Sequence, residues 1–124
     1  MKVSNIYLLL NNKIEILDFK KYIYEEFIEY KNNIINRTLV INLNIDDDCE
    51  FIFTKINMIT LCSYFKLGYI DNYELNFIVD TIELSEAIDY EIEELSDYIF
   101  LMANPEINGQ FSIDIANNII NILQ

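Results

Sequence analysis

The chain contains no histidine and no tryptophan, only two glycines, one proline and two cysteines, and no lysine or arginine beyond Lys66. Each absence removes a class of activity. General acid–base catalysis and nucleophilic triads draw most often on histidine. Without it a Cys or Ser nucleophile needs another base, and only Lys55 and Lys66 lie near the cysteines in sequence. The expectation is a protein that is not an enzyme. So few glycines leave no Gly-rich loop to cradle a phosphate, and no Walker motif is present; no cofactor is expected. Glycine and proline are too rare to mark a domain boundary and no repeat recurs, so residues 1–124 read as one globular domain. No apolar run approaches the ~20 residues of a membrane span, and no basic stretch followed by an apolar one opens the chain. That predicts a soluble cytoplasmic domain with no membrane partner, in which Cys49 and Cys62 are free buried thiols in a reducing compartment.

What the chain does contain is acid, unevenly placed. Nine carboxylates meet eight bases up to Lys66, the last of them. Twelve carboxylates then follow with none: Asp71, Glu74, Asp80, Glu83, Glu86, Asp89, Glu91, Glu93, Glu94, Asp97, Glu106 and Asp114. Almost all of the net charge of −13 therefore belongs to the C-terminal 58 residues. Self-repulsion disfavours a compact state, so folding alone gains nothing from this arrangement. Such a field attracts a basic partner and rejects anionic ones, which excludes direct nucleic-acid binding. The chain is also rich in Ile, Asn and Tyr, a profile of AT-rich coding that ordinarily enriches lysine; here lysine is scarce. Half the residues are apolar and they are spread evenly, so the acidic half is expected to fold.

Local patterns predict an α+β fold, with a small N-terminal β element and a predominantly α-helical C-terminal half. Val3 to Leu10 and Lys13 to Leu17 read as short strands around the turn-favouring Asn11-Asn12, with a helix as the alternative over Tyr7 to Leu10. Asp18 caps a helix to about Asn33, with Phe19, Ile23, Phe27 and Ile34 at near-helical spacing. Thr38 to Ile45 alternates as a strand, ended by Asp46-Asp47-Asp48. Glu50 to Leu67 sets Ile52, Ile56, Ile59 and Cys62 on one helical stripe; a strand over Glu50 to Thr54 leading into a shorter helix is the competing reading. Gly68 suits the position that closes the helix.

Beyond Gly68 the pattern is helical throughout. Asp71 caps a helix to about Leu84 with Leu75, Ile78, Val79 and Ile82 inward. Another runs from about Asp89 to Ala103, with a seam of Ile92, Leu95, Ile99 and Met102. Asn104-Pro105 stops it, since the residue before proline avoids helical geometry. Ser112 caps a last helix through Ile122, with Ile115, Ile119 and Ile122 inward.

Two acidic clusters invite a closer reading. Asp46, Asp47, Asp48 and Glu50 lack the ligand spacing, the sixth-position Gly and the twelfth-position Glu of an EF-hand. They read as a strand-ending turn that also caps the next helix. Zinc is excluded by two cysteines thirteen residues apart and no histidine, so no metal site is expected. Asp89, Glu91, Glu93, Glu94 and Asp97 crowd one predicted helix. The helix dipole accounts for acids in a first turn; it does not account for the missing lysines of the later turns. Tyr73, Tyr90 and Tyr98 lie among these acids, and tyrosine adds contact area and cation–π capacity to charge.

The stretches from Phe65 to Asp80, with the Gly68 turn inside, and from Phe100 to Gly109 resemble small bacterial immunity proteins of contact-dependent and related toxin systems. The resemblance covers about the C-terminal half. It implies a cytosolic protein made beside its toxin and binding it tightly. The expected partner is a basic protein, a cognate nuclease toxin, whose phosphate-holding groove an acidic surface fills. Two alternatives remain: a phage-type anti-defence protein mimicking nucleic acid against a host nuclease or guide-RNA complex, and an acidic adaptor domain without enzymatic activity. The residues expected to contact the partner are Asp80, Glu83, Glu86, Glu91, Glu94 and Asp97, with Tyr90 and Tyr98 as anchors.

Overall fold

The fold is α+β, mostly helical with one small sheet. It is seen in a computed structural model that describes residues 1–36 and 43–124, apart from the side chain of residue 106. The chain begins with a helix, α1 (Val3–Leu10), where short strands were expected. Val3, Ile6, Leu9 and Leu10 are its buried residues, a spacing of three to four that a strand cannot place on one face. The second expected strand, Lys13 to Leu17, instead leads into α2 (Ile16–Ile35). Glu15 occupies the cap position of α2, and Asp18 lies inside its first turn, where its charge complements the helix dipole rather than capping.

Most of the expected strand from Thr38 to Ile45 lies outside the described residues, and positions 43–45 are not in a strand. Asp46 pairs in parallel with Lys2: the Val3 N–H donates to the Asp46 carbonyl at 2.9 Å, and the Asp46 N–H donates to Met1 at 3.0 Å. The sheet itself lies mid-chain. It joins β1 (Phe51–Phe53) to β2 (Ile88–Tyr90) in parallel, with Phe51 opposite Ile88, Ile52 opposite Asp89 and Phe53 opposite Tyr90. Parallel pairing requires a crossover, and two helices supply it: α3 (Lys55–Lys66) and α4 (Asn72–Leu84).

The strand-then-shorter-helix alternative thus describes residues 50–67. The single helical stripe does not hold, because Ile52 is 59% and Ile56 70% exposed while Met58, Leu61 and Cys62 are buried. Thr54 starts α3 with a reciprocal capping box to Asn57. The Asn57 amide, itself buried, donates to the Leu10 carbonyl at 3.1 Å and so joins α3 to the end of α1. Gly68, at φ +80°, ends α3 in a Schellman motif: its N–H donates to Phe65, and that of Tyr69 to Tyr64.

Asp71 caps α4 in a second box with Glu74, and Leu75, Ile78, Val79 and Ile82 are buried as expected. The continuous helix from Asp89 is interrupted: Asp89 and Tyr90 belong to β2, and α5 spans Glu93–Ala103. Burial of Ile88 and pairing with β1 outweigh the helical pattern there. A short turn of helix, α6 (Pro105–Asn108), precedes Gly109 at φ +79°. Ser112 caps α7 (Ile113–Leu123) through the Ile115 N–H. Ala116 and Ile119 are its buried residues, whereas Ile122, expected inward, is 67% exposed. In the core α3 packs on α7, α4 on α5 and α2 on α4.

Candidate protein-docking surface

The connection between α4 and α5 carries the densest charge, and its backbone explains why. Glu83 stands at the end of α4, Glu86 in the loop before β2, Asp89 in β2, Glu91 just beyond it, and Glu93, Glu94 and Asp97 in the first two turns of α5. All seven are exposed. The strand alternates inward and outward, so Ile88 is buried and Asp89 faces solvent beside Ile52.

The tertiary structure adds acids that lie some forty residues away in sequence. The Ser85 hydroxyl donates to Asp47 at 2.5 Å, and the Phe51 N–H donates to Ala87 at 3.2 Å. Asp46, Asp47, Asp48 and Glu50, all exposed, are thereby placed beside the 83–91 segment. Sequence reasoning took the triplet for a turn and a cap on the next helix. It does cap a helix, but α1: Asp48 accepts from the Ser4 N–H at 2.9 Å and from the Ser4 hydroxyl at 2.6 Å. Burial alone would raise the Asp48 carboxyl, but these bonds, and the charge of Lys2, hold it below its ordinary value.

Apart from Tyr98, the predicted contact residues divide into three groups. Glu86, Glu94 and Asp97 are exposed, as a docking surface requires. Glu83, Tyr90 and Glu91 are exposed or half-buried but already engaged. Desolvation pushes the Glu83 carboxyl up, partly offset by a hydrogen bond with Asn104. Burial, and next the charge of Glu83, raise the Tyr90 phenol, whose ring meets Phe53 edge-on at 6.0 Å. Glu91 accepts from the Lys55 N–H at 3.1 Å, adding an anion at the start of α3. Asp80 is the exception. It accepts from Tyr30 at 2.6 Å in a partly buried bond that ties α4 to α2, so it acts between helices.

Tyr98 is half-buried, and together with Glu94 it lines a groove of about 290 Å³ whose other walls include Lys55, Ile92 and Ile122. Sequence reasoning missed the exposure of Ile52, which lies opposite Asp89, and of Ile56, because it placed both on a buried helical stripe; the alternation of the Glu50–Thr54 strand reading carries the signal that finds Ile52.

Among the described residues the acids of this surface are little neutralised. Among the described residues the ion pairs are the Met1 ammonium with Glu26, and Lys20 with Glu74 at 3.3 Å; neither touches residues 83–97. Also among the described residues, no group of three or more acids and cysteines has metal-binding geometry. No described helix is long and apolar enough to cross a membrane. No protein-family model, curated protein or solved structure matches the chain.

Proposed function

We propose that this protein is an immunity protein: a non-catalytic, stoichiometric inhibitor that works in the cytosol by docking its acidic surface into the basic groove of a cognate toxin, most simply a nuclease. The observation that carries the reading is the continuity of exposed acid from Asp46 to Glu50 and from Glu83 to Asp97, with no ion pair among the described residues to neutralise it. A nuclease groove is positive because it holds phosphates, so a surface of this sign competes with the nucleic acid. Steering raises association towards ~10⁸–10⁹ M⁻¹s⁻¹ at low salt, from the ~10⁵–10⁶ of a neutral pair. Fast capture matters when the toxin must be stopped before it acts.

The test begins with capture of the tagged protein's partner from its own organism's lysate, including the product of the adjacent gene, at low and high salt. One basic, nuclease-like protein released by salt is the expected result. Reversal of Glu83, Glu86, Glu94 and Asp97 to Lys then slows association and flattens its salt dependence, while circular dichroism stays unchanged. Capture of nothing basic, or binding indifferent to the four reversals, defeats the proposal.

A further inference from the structure

We infer that the groove where the start of α3 meets α5 and α7 receives an arginine side chain of the basic partner, and is the anchor of the acidic surface. This rests on the reading of that surface as a docking site for a basic protein. The groove, about 290 Å³, combines three chemistries. Ile92, Ile122 and Leu123 give it apolar walls, and Ile122 remains 67% exposed while its neighbours on α7, Ala116 and Ile119, are buried. Tyr98 contributes an aromatic ring. Glu94 contributes an exposed carboxylate one helical turn before Tyr98, so the two lie on the same side of α5.

An arginine satisfies all three at once. Its methylene stem covers the isoleucines, its planar guanidinium stacks on an aromatic ring, and its donor fork matches a carboxylate. A lysine ammonium is a compact, strongly hydrated point charge and uses the ring and the fork less well. Buried arginine and tyrosine are also the residues in which interface energy concentrates. The groove's own base does not neutralise its acid. Lys55 lies on its rim, yet no ion pair joins it to Glu94. The carboxylate is therefore open to a cation from outside, and Lys55 opposes that cation.

The test uses the intact isotopically labelled protein and two capped peptides of equal charge, six arginines and six lysines, followed by NMR. The arginine peptide is expected to bind about two- to fivefold more tightly, the factor an exposed cation–π contact supplies. Its saturating shifts should centre on Ile92, Glu94, Tyr98 and Ile122. Tyr98→Leu, which keeps an apolar side chain there, should narrow the difference between the two peptides. Glu94→Gln should weaken both, and Lys55→Gln should tighten both. Ile122→Asn alters an exposed position and should weaken both peptides alike without threatening the fold, since both carry an apolar stem. Equal affinities, shifts spread evenly over residues 83–97 without the groove, or a preference undiminished in Tyr98→Leu would overturn the proposal. A groove that fails while a basic toxin is still captured leaves the inhibitor reading standing; a groove that selects arginine while no basic protein is captured leaves the groove and removes the inhibitor.

Discussion

The Ser85 hydroxyl donates to the Asp47 carboxylate at 2.5 Å, across 38 positions of sequence. That bond sets the triplet Asp46–Asp48 beside the segment from Glu83 to Glu91, so charges that repel one another share one surface. Screening should relieve the repulsion. The Debye length falls from ~30 Å at 0.01 M to ~3 Å at 1 M ionic strength, and Tm is expected to rise over that range in sodium chloride. The double variant Asp46→Asn, Glu50→Gln should raise Tm at low salt and shrink the salt response. A Tm that falls with salt, in calorimetry or dye-binding melts, would contradict a self-repelling surface.

Asp48 carries a separable structural role. Its bonds to the Ser4 amide and hydroxyl satisfy donors of the first turn of α1. Asp48→Ala is expected to cost about 1 kcal/mol, as loss of an N-terminal cap does. Because folding lowers this carboxyl below its usual 3.8, the stabilisation is present above that pH and is lost as pH falls through the lowered value. Denaturant midpoints of the two proteins should therefore differ at neutral pH and converge in strong acid. A constant difference across the whole range would place the effect elsewhere.

Glu83 behaves in the opposite sense. Its carboxyl is raised above the usual 4.5, chiefly by desolvation. A raised acid is bound to its proton more tightly in the folded state, so stability falls as pH rises from the usual value through the raised one and stays lowered above it. Glu83→Gln should make the protein more stable at neutral pH, with the advantage disappearing below about pH 4.5. A variant less stable at neutral pH would show that the Asn104 contact outweighs the desolvation.

The two thiols should separate cleanly. Burial pushes Cys62 up to about 12, leaving almost no thiolate at neutral pH. Cys49 is half-buried and raised by burial and then by the charge of Asp48. With a disulfide reagent the native protein is expected to titrate one thiol slowly, faster as pH rises, and the second only on unfolding. Two thiols reacting together in the native state would mean that the core around Cys62 opens readily.

Features closed by near neighbours along the chain were legible in the amino-acid order itself. The caps at Asp71 and Ser112 and the glycine turn at Gly68 each bond within about five residues, and the apolar seam of α4 repeats with the helix itself. The imbalance of charge and the absence of histidine are likewise properties of composition. Asp89 and Tyr90, by contrast, fit a helical pattern; they became strand because Ile88 pairs with Phe51 and buries against the core. Val3 to Leu10 carries too few polar residues to reveal a period, and became helix when packing chose the face. Asp80 resembled its acidic neighbours until Tyr30, fifty residues away, drew it between two helices. Which acids face a partner, and which hold the fold together, was decided by such long-range contacts: local preference is worth only a fraction of a kcal/mol per residue, and burial of a whole face readily outweighs it.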